Sequence, residues 1–440
     1  MRDERIVNVI GAGLAGCEAA YQLAKRGIKV NLFEMKPLRF SPAHHSATFA
    51  EIVCSNSMKS EEPSTASGAL KKELELLDSL CLKIAKEVRV PAGSALAVDR
   101  ELFTKRMTEE IEKLKNVNIV HSEVTSIDTN VPTIIATGPL TSEGLSQEIA
   151  KLLGTTSLYF FDASAPIVVA ESIDYTKTFS SGRYGKGESD YVNCPMNKEE
   201  YYDFVHELQN AKRVELHDFE NTAVFEGCMP VEIMAARGDD TLRFGPLRPV
   251  GLLDNDGKRP YAVVQLRKEN TESDLYNIVG FQTNLTFGEQ KRVFSMIPAL
   301  KNAEFIKYGV MHRNTYINAP QHLNFDFSMK KYPFIFFAGQ ISGVEGYVES
   351  IASGLVSAIN MARKLDGQEP IDFTTKTIIG ALAHHISTPC ENFQPMNANF
   401  GILEPLGEII RDKTQKKLAY TSRSVDAMKK IIGEEKNGRN

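Results

Sequence analysis

A chain of 440 residues is too long for one simple core, so two or three domains are expected. Its formal charge of −5 excludes a protein that coats nucleic acid by bulk charge, but not one with a local basic patch. No apolar run is long enough to span a bilayer, no signal peptide precedes the first strand, and the six cysteines include no CxxC pair; the expectation is a cytoplasmic protein with no membrane partner, metal site or disulfide framework.

The strand-like run at 5–10 opens into Gly11-Ala12-Gly13-Leu14-Ala15-Gly16, a helix follows to Arg26 and Gly27, and a second strand ends at Glu34. This is the pattern of a dinucleotide site. Gly11 allows the tight turn, Gly13 lets backbone N–H groups approach a pyrophosphate, Gly16 lets helix and strand pack closely, and Glu34 is placed to accept from a ribose hydroxyl. Residues 41–67, rich in Ser, Ala, Pro and His, predict a long functional loop. Helical spacing returns at 68–80 and at 100–115, the latter with Asp99 as N-cap. Residues 117–120, 122–127 and 133–138 read as strands, the last running into Gly138; 142–153 is amphipathic and 158–162 is a further strand. From 197 to 314 mixed strands and helices carry no fingerprint of their own and read as an inserted α+β domain. The first fold then resumes at 332–340 with a strand ending in Ala338-Gly339-Gln340, followed by Gly343, Gly346, Tyr347 and a helix from Val348 to Leu365. The expected division is 1–196 and 315–440 for the two parts of the cofactor domain, the second carrying the C-terminal helices, and 197–314 for the insertion.

The second strand-to-glycine-to-helix element selects FAD over NAD, because FAD laid across a two-part fold needs one helix dipole for its pyrophosphate and another near its flavin end. Gly138 would face the adenosine or flavin side. The fold class is therefore α/β, a two-part FAD-binding Rossmann-like fold of the glutathione reductase type with an insertion. No second fingerprint exists for a nicotinamide domain, so NADH or NADPH would visit the flavin directly.

Cys54, in a polar loop, and Cys228, bracketed by Gly227 and Pro230, are the thiols whose surroundings permit reaction; Cys17 and Cys81 fall in helical segments and read as small buried hydrophobes. Glu226 and Glu232 would raise the Cys228 thiol unless Arg237, Arg243, Arg248 or Arg267 approaches. The cations at 237–268 and Lys413, Lys416, Lys417, Lys429 and Lys430 are candidates for phosphate contact, and Tyr261 and Tyr347 for stacking on a base or a folate.

The stretches VNVIGAGLAGCEAAYQLAKRG, PAHHS, AEIVCSNSMKS, VPAGSALAVDR, PTIIATGPLTSE, FEGCMPVEIMA, YGVMHRNTYIN, FFAGQISGVEGYVESIASG and NFQPMNANFG run through nearly the whole chain. Together they resemble the flavin- and folate-dependent tRNA (uracil-5-)-methyltransferase family, TrmFO, related to the GidA flavoproteins. The resemblance implies methylation of uracil C5 in RNA, the T-loop uridine of tRNA or a uridine of 23S ribosomal RNA, with 5,10-methylenetetrahydrofolate as donor and NAD(P)H as reductant. It implies catalytic roles for Cys228, as nucleophile, and for Cys54. A flavin oxidoreductase acting on a small molecule and a GidA-like subunit that needs a partner are the competing expectations.

Overall fold

The computed structural model describes residues 5–155, 158–181, 183, 190–214, 229–270, 274–391 and 393–437. Strand β1 (Ile6–Ile10) buries Val7, Val9 and Ile10 and leads through the glycine loop into α1 (Leu14–Lys25) and β2 (Lys29–Glu34), the expected strand–helix–strand unit. A small antiparallel sheet follows, built from β3 (Ser57–Ser60), β4 (Arg89–Val90) and β5 (Ala95–Val98), with α2 (Ala66–Leu76) and α3 (Leu80–Glu87) between its strands. Helix α4 (Arg100–Glu112) begins as predicted at Asp99, whose carboxylate accepts from the Leu102 amide at 3.0 Å. Then come β6 (Val117–His121), β7 (Thr133–Ile135) and α5 (Glu143–Leu153); the strand expected at 122–127 is absent, its residues forming an irregular link.

The chain next enters β8 (Leu158–Ala163), which pairs antiparallel with β15 (Met311–Tyr316), so the paths into and out of the insertion lie side by side. Between them runs an antiparallel sheet of β9 (Ile167–Val169), β10 (Phe179–Ser180), β11 (Tyr191–Met196), β12 (Ala262–Lys268), β13 (Leu275–Ile278) and β14 (Phe305–Lys307), in the order β10-β11-β12-β13-β9-β14. The boundary expected at 197 therefore cuts through this sheet: β9, β10 and β11 belong to the insertion, not to the cofactor domain. These strands are short and β11 contains Pro195, so they lack the alternation that would have announced them. Helices α6 (Lys198–Asn210), α7 (Val231–Ala236), α8 (Thr241–Phe244) and α9 (Phe287–Phe294) complete the insertion, and an apolar core of its own, separate from the first, includes Phe204, Phe281 and Phe294. A capping box starts α6: Asn197 and Glu200 each accept from the other's backbone N–H.

After α10 (Ala319–His322), β16 (Ile335–Phe337) adds to the first sheet beside β7, giving the all-parallel order β16-β7-β1-β2-β6. A parallel sheet needs helices packed on it, and α1 and α11 (Tyr347–Leu365) pack on it side by side. They touch backbone to backbone: a Cβ on Gly354 would overlap the Ala15 carbonyl. Helix α12 (Ile378–His385) and the long α13 (Lys413–Asn437) are fixed to α2 by buried Glu73, which accepts from the Ile378 and Ile379 amides at 2.7 and 2.8 Å and from the Ser424 hydroxyl. No helix among the described residues is long and apolar enough to cross a membrane.

Candidate functional site

The carboxyl ends of β1, β2 and β7 open onto a cleft whose two lobes, about 640 and 690 Å³, share Gly13, His44, Glu51 and Thr137 as lining. This is where an open parallel sheet binds its ligand. Gly11 has φ +99°, and a Cβ there would sit 2.7 Å from the Ala136 carbonyl at the end of β7. A Cβ on Gly16 would overlap the Gly11 carbonyl, which is why α1 leaves the strand so closely. Gly13, by contrast, faces open space and begins α1 with no side-chain cap and no acid in the helix's own first turn, so its amide-bearing end is turned into the cleft. Glu34, 7% exposed, accepts from the amides of Ala12 at 2.9 Å and Lys36 at 3.0 Å, setting its carboxylate at the rim of the first lobe.

The long loop expected to be functional lies over this cleft. The Ala50 amide donates to the Ala12 carbonyl at 2.8 Å, and Glu51 accepts from the amides of His45 and Ser46 at 2.9 and 3.2 Å with Lys36 Nζ 3.5 Å away. Cys54 follows, lining the second lobe together with Gly339 and Gln340. Its amide donates to Tyr347 Oη at 2.9 Å, and the Ser55 amide to the same oxygen at 3.3 Å. Burial holds the Tyr347 hydroxyl protonated, so with two amides on its lone pairs the phenol proton remains to donate.

Not every glycine of the second element reaches the cleft. Gly138, Gly339, Gln340 and Tyr347 line it together with Leu14 and Ala15; Gly343, Gly346 and Val348 do not. Gly343 makes room for the Phe393 ring, Val348 is core, and Gly346 begins α11 beneath the Glu349 carboxylate. Glu349 sits in the first turn, 2.9 Å from Lys59 Nζ and 2.9 Å from the Ala398 amide, so the second helix end carries its own anion as well as its dipole. His44 and Glu51 escaped a reading based on periodicity because a loop has none.

Cys228 and Glu226 lie outside the described residues. Glu232 accepts from Thr283 Oγ1 at 2.9 Å and the Asn284 amide at 2.7 Å, fixing α7 to the end of the insertion sheet. Cys17, Cys81 and Cys194 are buried, and burial pushes all three thiols up, Cys194 to about 12. Of the cations at 237–268, Arg267 is buried and Arg243 packs 3.7 Å over the Tyr261 ring, so neither belongs to an open phosphate surface; Arg237, Arg248, Lys258 and Arg259 are exposed, as are Lys413, Lys416, Lys417, Lys429 and Lys430 of α13. Tyr261 donates to Tyr202 Oη at 2.9 Å within the insertion, leaving Tyr347 as the aromatic residue of the pair that faces the cleft. Among the described residues no three His, Cys, Asp or Glu side chains gather as metal ligands.

Residues 6–369 match the family model described as glucose inhibited division protein A. The chain is 56% identical over 428 residues to methylenetetrahydrofolate--tRNA-(uracil-5-)-methyltransferase TrmFO of Acetivibrio thermocellus, covering 97% of this chain and 98% of the relative. It is 54% identical over 427 residues to the protein of the same name from Bacillus licheniformis, with 97% and 98% covered. Among solved structures, Aquifex aeolicus GidA in its form I crystal matches with TM-score 0.70 and 18% identity over 98% of this chain and 76% of that one, a likeness of fold. The glycine loop, the returning strand β16 and near-complete alignment at more than half identity agree: the chain belongs to the glucose inhibited division protein A family and, within it, to the TrmFO family.

Proposed function

We propose that the chain methylates C5 of a uracil in tRNA, at the T-loop uridine, with 5,10-methylenetetrahydrofolate as one-carbon donor, FAD as redox cofactor and NADH or NADPH as reductant. The names of the relatives support the folate and tRNA parts. The observation that carries the reading is Cys54, a half-buried thiol in the same cleft as the uncapped start of α1. The residues fit FAD: the space beside Gly13 and the amides of α1 suit a pyrophosphate, and Glu34 is at the rim to accept from a ribose hydroxyl. When bound, the flavin supplies the electrons that take the one-carbon unit to the methyl level.

Uracil C5 is a weak nucleophile. A thiolate adding to C6, the role this reading gives Cys228, drives electron density onto C5, which then forms the new carbon–carbon bond to the one-carbon unit as one of that carbon's two bonds to donor nitrogen breaks. The C5 proton must leave next, and a thiolate at Cys54 is the acceptor; the one-carbon unit's remaining carbon–nitrogen bond then breaks to leave a methylene on C5, and a hydride equivalent, whose electrons the flavin would supply, adds to it as the Cys228 sulfur is expelled and the ring double bond returns. Tyr347, pinned by the amides of residues 54 and 55, fixes where that acceptor stands. The target base must leave its stack to reach them, and the reaction belongs in the cytoplasm, where tRNA is met.

Flavin-loaded protein given unmodified tRNA transcript, 5,10-methylenetetrahydrofolate and NADH or NADPH should produce ribothymidine, read by mass spectrometry, and Cys228→Ala should abolish it. Methylation of a 23S transcript but not of tRNA would move the target. Undiminished flavin turnover in Cys228→Ala would favour a small-molecule oxidoreductase, and activity only with cell extract would point to a partner subunit.

A further inference from the structure

We infer that Arg267 is a positioning residue for the Cys54 thiol, acting through a reciprocal latch with Ser55 and Asn56 that joins the insertion to the cleft. The inference rests on the reading of Cys54 as a working thiol. Arg267 lies near the end of β12, in register with Tyr191 on one side and Asn277 on the other. Its side chain, 6% exposed, leaves the insertion sheet and donates from Nη2 to Ser55 Oγ at 2.7 Å and from Nε to Asn56 Oδ1 at 2.9 Å. Asn56, fully buried, returns a hydrogen bond from Nδ2 to the Lys268 carbonyl at 2.9 Å and another to the Val98 carbonyl at 3.2 Å.

The residues just before Cys54 are held as firmly. Arg100 Nη1 donates to the carbonyls of Ile52 and Val53 at 3.0 and 2.9 Å, and its guanidinium pairs with Glu269, also from the insertion. Both flanks of Cys54 are thus tied to residues 267–269, while Tyr347 receives its amide from the front. The same sheet continues through β13 to Gln282, whose carbonyl accepts from Val231 at 2.7 Å, and to Asn284, which donates to Glu232; these anchor α7, the helix that follows position 228 in the chain. A chain of hydrogen bonds therefore runs from the insertion sheet to the start of α7.

A buried guanidinium is a poor way to add stability, since its desolvation consumes most of what its hydrogen bonds return. What a planar fork supplies is fixed geometry. Two groups that must act on C5 and C6 of one small ring need that geometry.

The test compares flavin-loaded Arg267→Gln, Arg267→Lys, Ser55→Ala and Cys54→Ala proteins. Arg267→Gln should lower kcat for tRNA methylation by about tenfold to a hundredfold, with KM for tRNA and the flavin spectrum unchanged. It should also speed alkylation of Cys54 by iodoacetamide, read by peptide mass mapping. Arg267→Lys, which keeps a cationic donor, should recover part of the lost kcat and part of the slow alkylation. Unchanged kcat and unchanged alkylation in Arg267→Gln, beside an inactive Cys54→Ala, would overturn the latch. An active Cys54→Ala would instead overturn the role given to Cys54, and alkylation would still decide whether Arg267 positions it. Should Arg267→Gln fail to fold, Ser55→Ala removes one acceptor only, and an unaltered alkylation rate there would count against the latch.

Discussion

In the cofactor half, backbone meets backbone: Gly11 against Ala136, Gly16 against Gly11, Gly354 against Ala15. In the insertion, side chains fill the space instead, with Phe281 edge-on to Phe294 at 5.2 Å and Phe204 at 6.1 Å from Phe281. The first arrangement admits no added atom, because a carbonyl cannot yield as a side chain does. The second is a packed core, which accepts changes that conserve volume. A change that ruins one half should therefore leave the other half's signature recognisable, and that contrast can be tested.

The largest effect is expected at Gly16. Gly16→Val drives methyl groups into the Gly11 carbonyl and should yield protein without bound flavin, measured by visible absorbance, since no rotamer relieves the overlap. Phe281→Ala should cost about 3–5 kcal/mol in urea unfolding while the folded fraction keeps its flavin; loss of flavin in proportion to that cost would show that the halves fold as one unit. Glu73 gives a smaller, pH-dependent effect. Burial pushes its carboxyl from 4.5 up to about 7. A folded-state pKa above the ordinary value means that the contribution is complete below about 4.5 and is lost as pH rises through about 7. The stability of the native protein should carry that falling component, and Glu73→Gln should flatten it; an unaltered slope would show that Glu73 stays ionised on its three donors. The smallest change is expected from Tyr261→Phe, which removes one hydrogen bond from the half-buried tyrosine pair of the insertion and should cost about 1 kcal/mol or less.

The legible parts of the sequence were those in which neighbouring residues settle the outcome. The glycine loop, Glu34, the Asp99 cap and the return at Ala338-Gly339-Gln340 can each be read from a few consecutive residues, and the structure places those elements where expected. Gly343 and Gly346 looked equivalent to Gly339 because sequence does not show that Phe393 occupies the space beside one and Glu349 the space beside the other. Arg267 reads as one more candidate for phosphate contact or as a cation for Cys228 for the same reason: its partners Ser55 and Asn56 lie more than two hundred positions earlier. The early edge of the insertion was missed because β9–β11 are defined by pairing with later strands and not by a pattern of their own.

The position of β16 also orders events during synthesis. The strand completes the first sheet beside β7, and α11 covers α1, yet both lie after residue 334. A ribosome releases the entire insertion before it releases either, so that domain can close while the edge of β7 still waits for its neighbour. Completion of the sheet that holds the glycine loop therefore waits for residues that leave the ribosome only after the whole insertion has left it.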